Sequence, residues 1–406
     1  MGIPRRWRRL AGLAGCAAVV LGLAAGGSPA ARAQGQLGPG FNPHAAASWG
    51  DNFVGELGNG STTGRDIPGT VSGLTSGVLQ VSAGGDHGLA ITSGGTVWAW
   101  GNNNVGQLGD GTTTTMRTTP VQLTGLSGVR QVSAGIGHSL ALRSDGTVWA
   151  WGQNDHGQVG DGMVSSTPQL TPVEVTGLTG VTKIAAGWEY SLALRSDGTV
   201  WAWGRNAEGE LGDGSTADSP VPVHVGLPQA TAVFAGSFAA YATSTTTAGV
   251  TLWAWGANGR GELGDGTRVN RSLPERVTGA TDIAQVAVGE SFVIVLVTNG
   301  SITAWGDDEA GQLGNEPTQV PVTHPVETIA GGSGITQVSA GQSHVLAVTS
   351  AGGVIAWGRN SEGQLGTGTT ARVVGPVHVA GLSGVSQVDA GGFFSLAVYV
   401  QQQGTG

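Results

Sequence analysis

The chain contains 406 residues, 74 of them glycine, and carries 18 Lys and Arg against 27 Asp and Glu. The glycines follow no G-x-y period, which excludes collagen, and the sparse charge together with 13 tryptophans excludes a disordered chain. The acidic balance argues against nucleic acid as a partner, because phosphate backbones repel a negative surface.

Residues 1–33 predict a signal peptide for export. Four arginines among residues 5–9 precede an apolar stretch at 10–25, and A-R-A at 31–33 provides a small-x-small cleavage site. The paired arginines leave both Sec and Tat export open. L-A-G-C at 13–16 offers an alternative, a lipoprotein lipidated at Cys16, but the apolar run before Cys16 is short and continues past it. We therefore expect a secreted, extracellular protein, and lipid anchoring at the cell envelope is the less favoured alternative.

Cleavage after Ala33 would leave 13 Lys and Arg against 27 acids, a net charge of −14, and no cysteine. No later apolar run reaches the ~18–20 residues of a membrane-spanning helix, so we expect no membrane span. The remaining chain is divided into a linker at 34–43, one domain at 44–400 and a flexible tail at 401–406.

Two interleaved signatures repeat seven times along this domain. W-G recurs at spacings of 50 to 52 residues and is followed each time by G-[QE]-[LV]-G; its tryptophans are Trp49, Trp100, Trp151, Trp203, Trp255, Trp305 and Trp357. The second signature is V-S-A-G-G-D-H-G-L-A-I at 81–91, with counterparts starting at 132, 184, 233, 286, 338 and 388. Such a period indicates a repeat architecture, in which each unit buries its apolar face against its neighbours.

Each repeat has the pattern of four short β-strands. In S-L-A-L-R-S-D-G-T-V-W-A-W-G (139–152), two apolar runs flank Asp145-Gly146, which is a strong hairpin signal. The V-x-x-[AV]-G run before it and the Pro-Val segment after G-D-G supply two more strands, and no window keeps a helical period. Seven four-stranded units of ~51 residues predict an all-β fold, a seven-bladed β-propeller.

The phase of the repeats predicts how the ring closes. The chain has W-G at 49–50 without a preceding A-G segment, and A-G at 390–391 without a following W-G. Residues 44–400 number 357, which is seven times 51. We therefore expect the N- and C-terminal segments to pair within one shared blade, which leaves no unpaired edge.

W-G-x-N-x-x-G-Q-L-G and V-x-A-G-x-x-H-S-L-A-L resemble the repeat of the regulator of chromosome condensation family, and the export signal favours a secreted bacterial member. The resemblance implies a seven-bladed β-propeller. The architecture is similar to that of a guanine-nucleotide exchange factor, a plant ultraviolet photoreceptor, ubiquitin-ligase interaction domains and a secreted β-lactamase inhibitor. A shared fold transfers none of these activities by itself.

Most residues whose side chains could take part in catalysis or bind a ligand occupy repeat positions, which favours structural roles. G-R-G-E-L-G at 259–264 matches a dinucleotide fingerprint but aligns with six other blade turns. The acids of the L-G-D-G turns (Asp110, Asp161, Asp213 and Asp265) fit turn closure better than calcium binding. His87, His138 and His344 share a position with Tyr190, Ala239, Phe292 and Phe394, so packing is favoured over zinc binding. We expect no metal and no cofactor.

The alternatives to a binding protein have weak signals. No G-x-S-x-G motif occurs, and an extracellular hydrolase or lyase would depend on acids such as Asp86, Glu189 or Glu290 meeting between blades. An exchange factor would need a cytosolic or nuclear partner, which the export signal contradicts. Light sensing would need tryptophans clustered with arginines, whereas Trp188 is followed by Glu189. We therefore predict a protein that is not an enzyme.

Two residues after each A-G or V-G vary freely while the scaffold does not. They include three aromatics, Trp188, Phe238 and Phe393, and three acids, Asp86, Glu189 and Glu290. Variable loops on a rigid body commonly carry function, and such aromatics are typical binding hot spots. The hypothesis is a monomeric, secreted, non-catalytic propeller that binds a protein on this face, with inhibition of an extracellular enzyme as one form of that activity. Neutral surface variation would give the same pattern.

Overall fold

The computed structural model describes residues 43–247, 249–329 and 334–401. The predicted signal peptide at 1–33, Cys16 and nearly all of the linker and tail lie outside the described residues. Within the described ranges the chain forms 28 β-strands and no helix.

The strands group into seven blades of four. β1 (His44–Gly50) and β2 (Arg65–Thr70) come first in the chain. Blade 1 contains β3 (Val78–Ala83), β4 (His87–Thr92), β5 (Thr96–Asn102) and β6 (Met116–Gln122). Blade 2 contains β7 (Val129–Ala134), β8 (His138–Arg143), β9 (Val148–Asn154) and β10 (Ser165–Glu174). Blade 3 contains β11 (Val181–Ala186), β12 (Tyr190–Arg195), β13 (Val200–Gly204) and β14 (Ser219–His224).

The remaining blades repeat this order. Blade 4 contains β15 (Ala230–Ala235), β16 (Ala239–Thr246), β17 (Gly249–Gly256) and β18 (Arg271–Arg276). Blade 5 contains β19 (Ile283–Val288), β20 (Phe292–Val297), β21 (Ile302–Gly306) and β22 (Val322–Ile329). Blade 6 contains β23 (Ile335–Ala340), β24 (His344–Thr349), β25 (Val354–Gly358) and β26 (Val373–His378). Blade 7 combines β27 (Val385–Ala390) and β28 (Phe394–Val400) with β1 and β2.

All seven sheets are antiparallel, and the first strand of each blade is innermost. Inner strands of neighbouring blades contact one another around the ring, as β3 does with β7 and β27. The all-β, seven-bladed propeller predicted from the repeats is therefore confirmed.

The predicted closure of the ring is also confirmed. β1 pairs antiparallel with β28 in continuous register, from His44 opposite Val400 to Gly50 opposite Phe394. The outermost strand of every blade contains proline, for example Pro68 in β2 and Pro376 in β26. Proline offers no N–H to a further strand, so it protects these edges against intermolecular pairing.

The core lies between the blades and is built on the W-G tryptophans, all seven of which are fully buried. Each indole N–H donates across the seam to a Gln or Glu carbonyl of the preceding blade, as Trp151 does to Gln107 at 2.9 Å. A Cβ on Gly109, the last glycine of the preceding G-Q-L-G, would lie 2.8 Å from the Trp151 ring. The two halves of the W-G…G-[QE]-[LV]-G signature are therefore contact partners in adjacent blades.

Candidate partner-binding face

Two sets of loops meet at one end of the blades. Antiparallel strands reverse direction at each turn, so loops after the first strand and loops after the third strand share an end. The inner loops, after the first strand, are 84–86, 135–137, 187–189, 236–238, 289–291, 341–343 and 391–393. The outer loops, after the third strand, are 51–64, 103–115, 155–164, 205–218, 257–270, 307–321 and 359–372. We call this end the loop face.

All six residues predicted to bind a partner lie on the inner loops, and all six are partly exposed. They belong to five blades: Asp86 to blade 1, Trp188 and Glu189 to blade 3, Phe238 to blade 4, Glu290 to blade 5 and Phe393 to blade 7. The inner loops are held by backbone hydrogen bonds between blades, such as that from Trp188 N to Ser237 O at 3.2 Å. The variable side chains are therefore presented on a fixed backbone.

Trp188, Phe238 and Arg205 form a layered cluster. The rings of Trp188 and Phe238 are stacked with centroids 4.7 Å apart and planes 24° apart. The Arg205 guanidinium lies 4.8 Å from the Phe238 centroid, a cation–π contact. Arg205 is itself fixed by Glu210, whose Oε1 lies 2.7 Å from Nη1. Three layers from blades 3 and 4 thus support an aromatic surface that the repeat itself does not require.

Glu189 joins this cluster to blade 2. Its Oε1 accepts a hydrogen bond of 3.2 Å from the Gln153 side chain, and its Oε2 lies 3.6 Å from both Arg205 and His156. His156 in turn bonds Asp218 at 2.6 Å. Glu189 is therefore held beside the aromatic stack while staying partly exposed.

Phe393 has a similar arrangement between blades 6 and 7. The Arg359 guanidinium lies 4.7 Å from the Phe393 centroid. Arg205 and Arg359 both directly follow W-G, and each stacks on the second variable residue of the next blade. The sequence analysis missed both arginines and His156. The signal for the arginines was present, because W-G-R occurs twice and both times the next blade has phenylalanine at that position.

The two remaining acids lie in separate surroundings. The pKa of Glu290 is raised to about 7, chiefly by burial and also by the charge of Asp307, while Gln342, Arg359 and Arg260 oppose the shift. Asp86 lies near the carboxyl of Glu56, whose pKa is raised to about 8 by burial and then by the charges of Asp86 and Asp51. The structure therefore brings Trp188, Glu189 and Phe238 together, links Glu290 and Phe393 through Arg359, and places Asp86 beside Glu56.

The repeated histidines and acids have structural contacts. His87, His138 and His344 are fully buried, and each Nε2 lies 2.9–3.0 Å from a serine Oγ of the next blade. Burial lowers their pKa values to about 3 or 4. Asp110 accepts the N–H of Thr112 at 3.0 Å and pairs with Arg117 at 2.7 Å, which closes its turn.

The part of the chain that the structure describes holds no group of three or more His, Cys, Asp or Glu arranged to bind a metal. It also holds no helix that could span a membrane.

Comparisons with known proteins agree with this architecture. A family model described as RCC1-like domain matches residues 45–397. The ultraviolet-B receptor UVR8 of Arabidopsis thaliana is 36% identical over 312 residues, 74% of this chain and 70% of that protein. The ubiquitin-protein ligase HERC2 of Homo sapiens is 33% identical over 370 residues, 86% of this chain but 7% of HERC2.

Among solved structures, Prp20p of Saccharomyces cerevisiae superposes with a TM-score of 0.78 at 23% identity, covering 89% of this chain and 93% of Prp20p. That structure was described together with the binding of Prp20p to Gsp1p and histones. At this level of identity the similarity shows the fold alone.

Proposed function

Because the chain belongs to the RCC1-like domain family, whose model spans residues 45–397, we propose that it is a secreted, non-catalytic propeller that binds a protein partner through its loop face. The family supplies the scaffold, and the inner-loop residues that differ from blade to blade supply the recognition. Inhibition of an extracellular enzyme is the form of binding that we propose.

The observation that carries this proposal is the stack of Trp188 on Phe238, backed by Arg205. Two adjoining aromatics stay partly exposed at positions where the other blades have Gly, Ile, Ser, Asp, Glu or Gln, and in one case phenylalanine, Phe393. Large aromatics held rigidly at a surface give up little conformational entropy on binding, and hot spots are enriched in them. A rigid, partly exposed stack beside Glu189 therefore suits a protein interface.

The proposed location rests on residues 1–33, with their arginines, apolar run and small-x-small site. An exported propeller meets proteins outside the cytoplasm, which favours an extracellular enzyme as the partner. The activities named for the relatives stay with those proteins. The chain spans 7% of HERC2, and it shares only the fold with Prp20p.

The test replaces Trp188, Phe238 and Phe393 together with alanine. Tagged parent and variant are used to capture proteins from the culture fluid and cell envelope of the producing organism. We expect the variant to lose a partner that the parent captures, because the aromatic contact area is removed. Circular dichroism and the melting temperature report whether the fold is kept.

The matched control is Leu79→Ala and Tyr399→Ala, which truncates one exposed and one partly exposed side chain near the ends of β3 and β28 that lie opposite the loop face. This control should capture the partner as the parent does. Capture that survives the loop-face substitutions, or that is lost equally in the control, would contradict the proposal.

A further inference from the structure

The charges of the propeller are divided unequally between its two ends. The inner and outer loops of the loop face contain 19 Asp and Glu but five Arg. The rest of the described chain, meaning the strands and the opposite turns, contains eight Asp and Glu and eight Lys and Arg. The net negative charge of the domain is therefore carried by the loop face.

Some of these acids are neutralised within the protein. Asp110 and Asp265 pair with Arg117 and Arg271, each at 2.7 Å. Burial holds Glu56 protonated at neutral pH, with its pKa raised to about 8. The remaining acids still outnumber the arginines of the loop face, so its field is negative. A net negative field of this kind attracts cationic partners and repels anionic ones.

The acids adjoin the aromatic cluster. Asp155 and Asp218 are exposed on the outer loops of blades 2 and 3, and Glu208 and Glu189 are partly exposed in blade 3. Against these four carboxylates the neighbourhood holds Arg205, whose guanidinium is already layered on Phe238, and His156, which bonds Asp218 at 2.6 Å. An aromatic face bordered by carboxylates matches a guanidinium or ammonium group, which forms charge-assisted hydrogen bonds and cation–π contacts together.

We infer that the partner of the loop face is a basic protein, whose Lys and Arg side chains pack over the Trp188–Phe238 stack against Glu189, Glu208 and Asp218. This inference rests on the proposed function and adds the chemistry of the partner. The negative charge that attracts the partner is spread over the whole loop face. The direct contacts with its Lys and Arg side chains lie at the junction of blades 2, 3 and 4.

The first experiment uses a fluorescent octa-arginine peptide as the probe. Glu189→Gln, Glu208→Gln and Asp218→Asn together should weaken its binding by about tenfold and flatten the salt dependence, because the charge-assisted contacts are removed. The control is Asp145→Asn, Asp197→Asn and Asp282→Asn, which removes the same charge at the opposite end. An equal loss in both variants would mean attraction by net charge alone and would overturn the inference.

The second experiment separates this inference from the proposed function. The protein captured from culture fluid is bound to the parent in about 50 mM and then about 300 mM salt, where screening shortens the reach of charge interactions. We expect weaker binding at high salt and in the Glu189, Glu208 and Asp218 variant. Capture that needs Trp188, Phe238 and Phe393 but ignores both salt and these carboxyls would leave the binding function standing and refute a basic partner.

Discussion

At the scale of single residues, Asp308 departs from its six counterparts. The equivalent position is asparagine in the other blades, and its amide nitrogen donates to outer-loop carbonyls, as Asn360 does to Thr369 O at 2.9 Å and Ala371 O at 2.8 Å. Asp308 Oδ1 accepts a hydrogen bond from Leu313 N at 3.0 Å, as the asparagine Oδ1 does in the other blades, for example from Leu365 N to Asn360. Its Oδ2 is buried and has no hydrogen-bond partner among the described residues. Burial accordingly raises the pKa of Asp308 to about 6.

We expect Asp308→Asn to stabilise the protein at pH 7.5 by about 1 kcal/mol, because an amide restores the missing donor. The carboxyl has a higher pKa in the folded chain than its usual 3.8, so its contribution is present at low pH and is lost as pH rises through about 6. The gain from the substitution should therefore shrink below pH 4. Urea unfolding of the parent and of Asp308→Asn at several pH values measures this difference in the free energy of unfolding.

Asn360→Asp in blade 6 is the reciprocal control for this prediction and should destabilise the protein at pH 7.5. Equal stability of Asp308→Asn and the parent at that pH would show that the outer loop of blade 5 satisfies its carbonyls in another way.

At the scale of elements, the seams between blades differ in how they are tied. Gln80 on β3 both donates to Val132 O and accepts from Val132 N, each at 3.0 Å, which links blades 1 and 2. The equivalent glutamines on β7, β19, β23 and β27 form the same kind of link, and they are Gln131, Gln285, Gln337 and Gln387. Blades 3 and 4 have Lys183 and Ala232 at this position.

The seam between blades 4 and 5 is instead filled by apolar contacts. Ala239 stands where blades 1, 2, 3, 5, 6 and 7 have a histidine, tyrosine or phenylalanine ring. Val288 of blade 5 stands where the other blades have alanine, and its Cγ1 lies 2.6 Å from the position of a Cβ on Gly236. The larger valine therefore occupies space left by the missing ring, and the two differences compensate each other.

Val288→Ala should cost about 1–3 kcal/mol, because it leaves a void in a fully packed seam. Ala239→Phe should also destabilise, since its ring competes with Val288 for the same space. The double variant places the usual ring against the usual alanine, so we expect it to recover part of both losses. Denaturation of all four proteins gives the coupling, and strictly additive effects would contradict this account.

The sequence predicts contacts that recur in every blade, and it does not predict contacts that occur at a single seam between two blades. The repeat spacing predicted the strands, the buried tryptophans and the shared blade, because these depend on contacts that recur in every repeat. Contacts between unlike side chains of adjacent blades, such as Arg205 on Phe238 or Val288 near Gly236, depend on how one blade registers against the next. The sequence does not contain that register, because it depends on the relative position of adjacent blades in the folded protein.

At the scale of the whole molecule, Asp389 ties three blades together next to the closure. Its Oδ2 accepts the N–H of Ala83 in blade 1 at 2.8 Å, and its Oδ1 accepts the hydroxyl of Ser339 in blade 6 at 3.0 Å. The side chain is buried, and burial raises its pKa to about 8. Blades 1, 2 and 6 have serine at the same position, so the fold does not need an acid there.

The raised pKa of Asp389 means that the folded ring binds a proton that the unfolded chain releases above about pH 4. Its contribution to stability is complete at low pH and is lost as pH rises towards about 8, with a slope of up to about 1.4 kcal/mol per pH unit. Asp389→Ser should remove this slope, and Asp389→Asn should do the same. Unfolding free energies measured from pH 4 to pH 8 test it; unchanged slopes in both variants would contradict the prediction.

The pairing of β1 with β28 also determines how the molecule can be attached. His44 and Val400 lie opposite each other, at the end of blade 7 away from Gly50 and Phe394. A surface, bead or fused domain joined through either of these positions therefore lies at the end of the propeller opposite the loop face, which stays accessible. Immobilisation next to His44 or Val400 should leave capture unimpeded, whereas coupling through an outer loop should block it.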